Sequence, residues 1–359
     1  MPHELDKILI STSQPDFKVR LTKFFLSKAG LSHFGFGERH IENKQKVEEI
    51  LIKVIKKGDK AVAEYTEEFD SVELTPGQFR ISKEELEKAH EEINEELLKS
   101  IRQAIENVRK YQTEIFIGNF KHPGIKYTPI KRVGICVPGA SAPLPSTVIM
   151  TALPAQVAGV NEIAVVSPPR CEGSIHPVVL AVCHELGIEE VYRIGGAQAV
   201  AALAYGTETI REVDKIVGPG NQWVQTAKNL VSAGVGIDCI AGPSEVLIIA
   251  NDKANAGWVA ADMLSQAEHD PGCAFLFTDS QELAEKVLDE LKTQVKKLDR
   301  SEGTTECLKK FSGIAVFNDL DYAVGKANEF AVEHLQIQCG EESRDIAAKI
   351  NNAKGEFRP

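Results

Sequence analysis

Apolar residues recur at helical spacing in two stretches near the start of the chain, residues 46–69 and 82–112. The second stretch opens with Ser82-Lys-Glu-Glu85, a capping box in which two side chains satisfy free backbone donors of the first turn. The apolar positions that follow lie three or four residues apart: Leu86, Ala89, Ile93, Leu97, Ile101, Ala104 and Val108. Lys and Glu occupy the opposite face, so we predict surface helices with a structural role.

After Ile125 the pattern changes to short runs rich in Val and Ile, each ending in Gly or Pro and followed by an Ala-rich helical segment. This alternation predicts strands joined by helices. The run 246–250 is apolar without a break, which indicates a parallel sheet covered on both faces. Eight strands are predicted, at residues 132–137, 162–167, 190–194, 215–217, 245–250, 273–278, 312–317 and 334–338. Eight strands exceed one nucleotide-binding half, so we predict two α/β units.

Glycine-rich loops border these predicted strands. The four loops are Val137-Pro-Gly139, Ile194-Gly-Gly196, Val217-Gly-Pro-Gly-Asn221 and Ala241-Gly-Pro-Ser-Glu245. Any one of them fits a tight turn without a ligand. Four together indicate a ligand-binding edge, because glycine lets the backbone approach a ligand closely and a following helix favours an anion. No G-x-G-x-x-G follows a strand, so the usual dinucleotide fingerprint is absent.

Composition narrows the function. The chain has 359 residues, 43% of them hydrophobic, and a net charge of −11, which would repel nucleic acid and an anionic membrane surface. No apolar stretch approaches the roughly 20 residues of a membrane span, and the first residues do not resemble a signal peptide. We therefore expect a cytoplasmic protein that binds neither nucleic acid nor a membrane. Its seven cysteines are scattered without a C-x-x-C pair, which indicates free thiols and argues against a cysteine zinc site.

Two clusters carry groups suited to chemistry. Gln266 and His269 lie three residues apart at the end of a predicted helix, so they share a face and are candidates for part of a metal site. The alternative is a hydrogen-bonded helix end, where His is favoured. Glu333 and His334 precede a strand and can divide general-base and proton-relay work. The alternative for this pair is a polar cap.

Six blocks in this order resemble the histidinol dehydrogenase family: 133–139, 195–207, 215–221, 240–250, 265–270 and 333–335. The resemblance runs from about Ile10 to the end of the chain. It implies a zinc enzyme that oxidises L-histidinol through L-histidinal to L-histidine with two NAD⁺, at the end of histidine biosynthesis. Two alternative functions stay open: the protein is a relative that oxidises another small polar alcohol, or it is a catalytically silent homologue.

The resemblance also implies roles for individual residues. Gln266 and His269 would bind Zn²⁺, Ser244 would contact the substrate beside them, and the metal would hold the substrate in place. His334 would remove the alcohol proton, and Glu333 would activate the water that hydrates the aldehyde. A second set would contact NAD: Gln198, Asn221 and, by position, Cys136, which stands where the family has Tyr.

The implied fold is α/β, with two incomplete doubly wound (Rossmann-like) parallel-sheet domains, a helical N-terminal segment and segments exchanged across a homodimer. We expect residues 1–131 to pack with the first domain, 132–245 to form the cofactor domain, and 246–359 to complete the first domain on the zinc and substrate side. Family chains continue beyond Pro359 with further zinc and substrate ligands. A chain without them is expected to bind zinc weakly and to have reduced activity.

Overall fold

The computed structural model describes residues 2–31, 38–118, 123–139, 143–240, 244–269, 272–353 and 355–357. These residues form two compact units. Unit one comprises Met1–Gly35 with Gly242–Pro359, and unit two comprises Phe36–Ala241.

Eleven β-strands occur in the described residues: β1 Leu9–Ser11, β2 Arg132–Cys136, β3 Glu162–Val166, β4 Glu190–Tyr192, β5 Lys215–Val217, β6 Gly236–Ile237, β7 Glu245–Ala250, β8 Cys273–Thr278, β9 Gly313–Val316, β10 His334–Gln338 and β11 Gly355–Phe357. Fourteen α-helices accompany them: α1 Phe17–Leu31, α2 Glu38–Lys57, α3 Asp59–Asp70, α4 Lys83–Glu91, α5 Glu95–Ile115, α6 Pro145–Val157, α7 Pro177–Glu185, α8 Gly196–Tyr205, α9 Gln222–Val231, α10 Ala256–Ala267, α11 Gln281–Gln294, α12 Ser301–Phe311, α13 Leu320–Phe330 and α14 Ser343–Ala347.

Unit two is built on a five-stranded sheet in the order β4-β3-β2-β5-β6, with every pair parallel. Side chains alternate along β2 and the residue after it. Ile135 and Val137 pack with α6 and α7 on one face, whereas Cys136 packs with α8 and α9 on the other. The chain moves outward from β2 to β4 and then returns to β5 on the other side of β2. The strand order therefore reverses between β2 and β5, where a crevice opens at the carboxyl ends.

Unit one contains a six-stranded sheet in the order β1-β9-β8-β7-β10-β11, again with every pair parallel. Val246 and Ile248 pack with α10 and α11 on one face, and Leu247 and Ile249 pack with α1 and α13 on the other. Burial of β7 on both faces explains its unbroken apolar run. The prediction of two α/β units with parallel sheets is confirmed.

The predicted assignment of residues 1–131 needs correction. Residues up to Gly35 belong with the sheet of unit one, but α2 to α5 belong to unit two. There α2 and α3 pack on α8 and α9, while α4 and α5 pack on α6 and α7. The apolar positions that begin at Leu86 divide between two helices: those on α4 face α7 and those on α5 face α6. These helices therefore form an outer layer of unit two. Amphipathic periodicity predicts that a helix packs but not which sheet it covers.

Within the described residues, no helix is both long and apolar enough to span a membrane.

Candidate active site

A cleft of about 1090 Å³ lies in unit two at the carboxyl ends of its strands. Its lining comes from the loops after β2, β3, β4 and β5 and from the facing sides of α2 and α3. The cleft thus occupies the position where doubly wound sheets bind nucleotides. Cys136, Gln198 and Asn221, the three residues expected to contact NAD, all line it.

The loop after β5 can approach β2 because residue 218 is glycine. Gly218 has a φ of +105°, and a Cβ there would lie 2.3 Å from the carbonyl oxygen of Cys136. A side chain is therefore excluded by conformation and by space. The backbone of this loop consequently forms one wall of the cleft.

Gln198 is fully buried at the start of α8 and lines the cleft. Both its Oε1 and its Nε2 lack a hydrogen-bond partner among the described residues. A buried amide without partners costs free energy unless something else binds it. Gln198 is therefore suited to receive a polar ligand from the cleft.

Asn221 starts α9. Its Oδ1 accepts hydrogen bonds from the backbone N–H groups of Trp223 at 3.1 Å and Val224 at 3.2 Å. These bonds cap the helix and fix the loop beside the cleft. Cys136 lies at the end of β2, where burial raises the pKa of its thiol to about 12. The thiol is neutral at physiological pH and contributes packing to the cleft wall.

A buried lysine holds the Gly218 loop, and its role was not predicted from the sequence. Lys228 on α9 is fully buried, and its Nζ donates to the carbonyl oxygen of Gly218 at 2.9 Å and to Asp238. Asp238 also accepts the backbone N–H of Gly218 at 2.8 Å. Lys228 and Asp238 together thus bind both backbone polar groups of Gly218, its carbonyl oxygen and its N–H. The available signal was a lysine on the apolar face of α9, four residues after Val224 and three before Val231.

The other predicted residues lie in unit one, at the amino-terminal edge of its sheet. Ser244 immediately precedes β7, His269 precedes β8 by a few residues, and Glu333 and His334 stand at the start of β10. The order β8-β7-β10 makes these strands neighbours, with Glu245 opposite Cys273 and Val246 opposite His334. The structure therefore brings these residues to one edge. The loop 241–243 lies outside the described residues.

The side chain of Asp262 connects α10 to β10 through hydrogen bonds. Its Oδ2 accepts hydrogen bonds of 2.8 Å from the Nε2 atoms of both Gln336 and Gln338. His334 lies on the same side of β10, because side chains alternate along a strand. Gln266 lies one helical turn after Asp262, and His334 lies two residues before Gln336. Both steps are about 6 Å along their elements and lead toward the amino edge, so the backbone carries Gln266 and His334 toward the same edge of the sheet.

The end of α10 carries the candidate metal ligands. The side chain of Gln266 is buried, and its Nε2 has no hydrogen-bond partner among the described residues. His269 is exposed just beyond the helix. The chain returns tightly here, since a Cβ on Gly272 would lie 2.0 Å from the carbonyl oxygen of Gln266. Over the described ranges, no three His, Cys, Asp or Glu residues cluster closely enough to hold a metal ion.

A doubly wound unit with a glycine-walled cleft, and a second α/β unit with imidazole, carboxylate and amide groups at one edge, define a nucleotide-binding α/β enzyme. The family model described as histidinol dehydrogenase matches residues 37–357. The chain belongs to the histidinol dehydrogenase family. Membership makes it an oxidoreductase that acts on a CH–OH group.

Individual relatives agree with this assignment. The histidinol dehydrogenase of Rhodopirellula baltica is 46% identical over 318 residues, which cover 87% of this chain and 69% of that protein. That of Caldanaerobacter subterraneus is 46% identical over 334 residues, or 89% of this chain and 77% of that protein. The crystal structure of histidinol dehydrogenase from Elizabethkingia anophelis superposes with a TM-score of 0.85 at 32% identity, covering 98% of this chain and 79% of that one.

Proposed function

We propose that the protein oxidises L-histidinol through L-histidinal to L-histidine with NAD⁺ in a zinc-dependent reaction, the last steps of histidine biosynthesis. The observation that carries the proposal is the pair of hydrogen bonds by which Asp262 fixes α10 against β10. Since Gln266 is on this helix and His334 is on this strand, the two bonds support both residues acting at one place. Ser244 and Glu333 border the same sheet edge. A small polar substrate with an imidazole and an amine finds several complementary polar groups there.

NAD⁺ supplies the hydride acceptor in both oxidations. In the first, His334 takes the hydroxyl proton of the alcohol as the hydride leaves its carbon. In the second, Glu333 takes a proton from water as the water adds to the aldehyde. This addition leaves the hydrate as its anion, which transfers a second hydride to NAD⁺ and then loses one more proton to give the carboxylate. Ser244 orients the substrate beside these two residues.

Gln266 and His269 are the zinc ligands of this proposal. They are two donors, whereas a catalytic zinc usually takes three protein ligands, and no three His, Cys, Asp or Glu residues cluster in the described part of the chain. A zinc ion would bind Oε1 of Gln266, and the buried Nε2 of the same amide, which has no hydrogen-bond partner among the described residues, favours a polar ligand at this position.

The cofactor contacts of the proposal are Gln198, Asn221 and Cys136 in unit two. Gln198 carries most of this assignment, since its buried amide offers both a donor and an acceptor to the cleft. Asn221 fixes the loop that forms the cleft wall, and the neutral thiol of Cys136 supplies an apolar contact.

A homodimer in the cytoplasm completes the proposal. The seven cysteines all lie in the described residues and none of them forms a disulfide there, which suits a reducing compartment. Light scattering of the purified protein at several concentrations would test the dimer, and a monomer throughout would contradict it.

The test is NADH formation by the purified protein with L-histidinol, after chelation and after restoring Zn²⁺. We expect zinc-dependent turnover that His334→Ala reduces by at least about a hundredfold, the usual size of a lost general base. Glu333→Gln should slow the second oxidation more than the first, so histidinal should accumulate. Equal turnover of a small alcohol without imidazole would favour a different substrate, and no turnover of any alcohol would contradict the proposal.

A further inference from the structure

The loop after β3 carries an arginine at a position of known significance in doubly wound folds. β3 is the second strand of its unit in chain order, and Ser167-Pro-Pro-Arg170 follows it at the carboxyl edge. In such folds the end of the second strand contacts the ribose of the adenosine half. An acidic residue there binds the 2′-hydroxyl of NAD, whereas an arginine accommodates the 2′-phosphate of NADP. The presence of Arg170 alone would indicate an NADP site.

Arg170 is not alone, because a carboxylate from another element neutralises it. Its Nε donates to Oδ1 of Asp70 at 2.9 Å, and its Nη1 donates to the carbonyl oxygen of Gly139 at 3.4 Å. The side chain of Asp70 is only 3% exposed, whereas that of Arg170 is 51% exposed. Asp70 thus lies behind the guanidinium, and Arg170 presents its other edge to the cleft.

The position of Asp70 makes this pairing strong. Asp70 is the last residue of α3, where the partial negative charge of the helix end disfavours a carboxylate. A buried carboxylate also needs a cation and hydrogen bonds to offset its lost hydration. For both reasons Asp70 needs the guanidinium of Arg170 as its partner. Because Asp70 neutralises this guanidinium, Arg170 offers less positive charge to a ligand.

The rest of the cleft supplies no surplus of positive charge. Its charged lining residues are three cations and three anions, namely Lys46, Lys53 and Arg170 with Glu49, Glu68 and Asp70. Lys53 is already engaged, since its Nζ lies 2.9 Å from Glu64 and 4.4 Å from the ring centre of Tyr65. A 2′-phosphate adds about two negative charges near neutral pH. The lining has no excess cation to receive them.

We propose that the Arg170–Asp70 ion pair determines the choice between the two dinucleotides in this cleft. Arg170 contacts the adenosine ribose, and Asp70 is a positioning residue that cancels the charge of Arg170, so that the site favours NAD⁺ over NADP⁺. The inference rests on the proposed function, because it assumes that this cleft binds a nicotinamide dinucleotide.

Calorimetric titration of the full protein with NAD⁺ and with NADP⁺ gives the ratio of the two dissociation constants. In Asp70→Asn the guanidinium is no longer neutralised. The ratio should shift toward NADP⁺ by about tenfold, the size of one charge-assisted hydrogen bond to phosphate. Adding Arg170→Gln to that variant should abolish the gain. Arg170→Gln alone leaves Asp70 unpaired and should shift the ratio several-fold toward NAD⁺.

The matched control is Glu73→Gln, which removes the same charge at an exposed position three residues after Asp70 and outside the cleft. It should leave the ratio unchanged. Wild-type protein that binds neither dinucleotide would refute the proposed function itself. Wild-type protein that binds NAD⁺, with the same ratio in all variants that retain the native circular dichroism, would refute the inference alone. If Asp70→Asn does not fold, the opposite shift in Arg170→Gln still decides the matter.

Discussion

Replacing Lys228 with Met should loosen the wall of the dinucleotide cleft and destabilise unit two. Met has a similar length and is apolar, so the substitution keeps most of the packing of α9 and removes the ammonium group. It leaves the carbonyl oxygen of Gly218 without the donor at 2.9 Å and Asp238 without its buried cation. The perturbation is therefore electrostatic rather than steric.

The expected magnitude follows from the burial of the two partners. Removing one partner of a fully buried ion pair costs about 3–5 kcal/mol. The Lys228 side chain is 1% exposed but that of Asp238 is 32% exposed, so water can partly hydrate the carboxylate that remains. We expect a loss near the lower limit, about 3 kcal/mol, which corresponds to a fall of about 1 M in the urea midpoint.

Urea unfolding followed by tryptophan fluorescence, together with NAD⁺ titration, is the assay. Lys131→Met is the matched control, because its side chain is 79% exposed and lies 3.9 Å from Glu162. Such a surface pair contributes at most about 1 kcal/mol. Lys228→Met should lower both the urea midpoint and the affinity for NAD⁺, while the control should change neither appreciably. Equal midpoints for the two variants would refute the assigned role of Lys228.

Three further outcomes follow from the structure. Asp262→Ala removes the hydrogen-bond acceptor that fixes α10 against β10. The kcat/KM for histidinol should therefore fall about tenfold or more, while the Kd for NAD⁺ should stay unchanged. A fall in NAD⁺ affinity would contradict this prediction. The pKa of Glu185 is lowered from 4.5 to about 2, chiefly by its hydrogen bond from Arg102. Its stabilisation is present above pH 4.5 and is lost as the pH falls toward 2, so Glu185→Gln should lower the urea midpoint at pH 7 and lower it less at pH 3.5; an equal loss at both would refute the pairing. Exposed Cys239 should react with iodoacetamide in the folded protein and buried Cys136 should not, as peptide mapping would show.

The strands that the sequence predicted include the three that are buried along their whole length, β2, β8 and β9. All eight occur, as β2 to β5 and β7 to β10. The three that it missed, β1, β6 and β11, have two or three residues each and form edges of their sheets. Segments this short have no periodicity of their own and become strands because a longer neighbour provides hydrogen bonds.

The two groups of candidate residues, one in each unit, differ in how far general rules predict their positions. The cleft lined by Gln198 and Asn221 lies at the carboxyl edge of a parallel sheet, as the rule for doubly wound folds predicts. Glu333 and His334 lie at the amino edge of the other sheet, which that rule does not predict. The placement of α10 against β10 depends on a tertiary contact through Asp262, and one sequence does not reveal such a contact.

Lys228 shows a second limit of sequence reasoning. A lysine in a helix usually lies on the solvated face or extends its amino group to water. Its burial here requires Asp238, ten residues later in the chain, and the carbonyl oxygen of Gly218. The apolar neighbours of Lys228 gave a hint of burial, but its partners come from two loops whose approach depends on the fold.

The number of NADH molecules formed for each L-histidinol consumed tests the central claim most directly. Oxidation of a primary alcohol to a carboxylate removes four electrons, and each NAD⁺ accepts two of them in a hydride. With limiting histidinol and restored zinc, we predict two NADH for each L-histidine that appears. A ratio of one, with histidinal as the final product, would contradict the two-step reaction, and the absence of histidinol-dependent NADH would contradict the proposed activity.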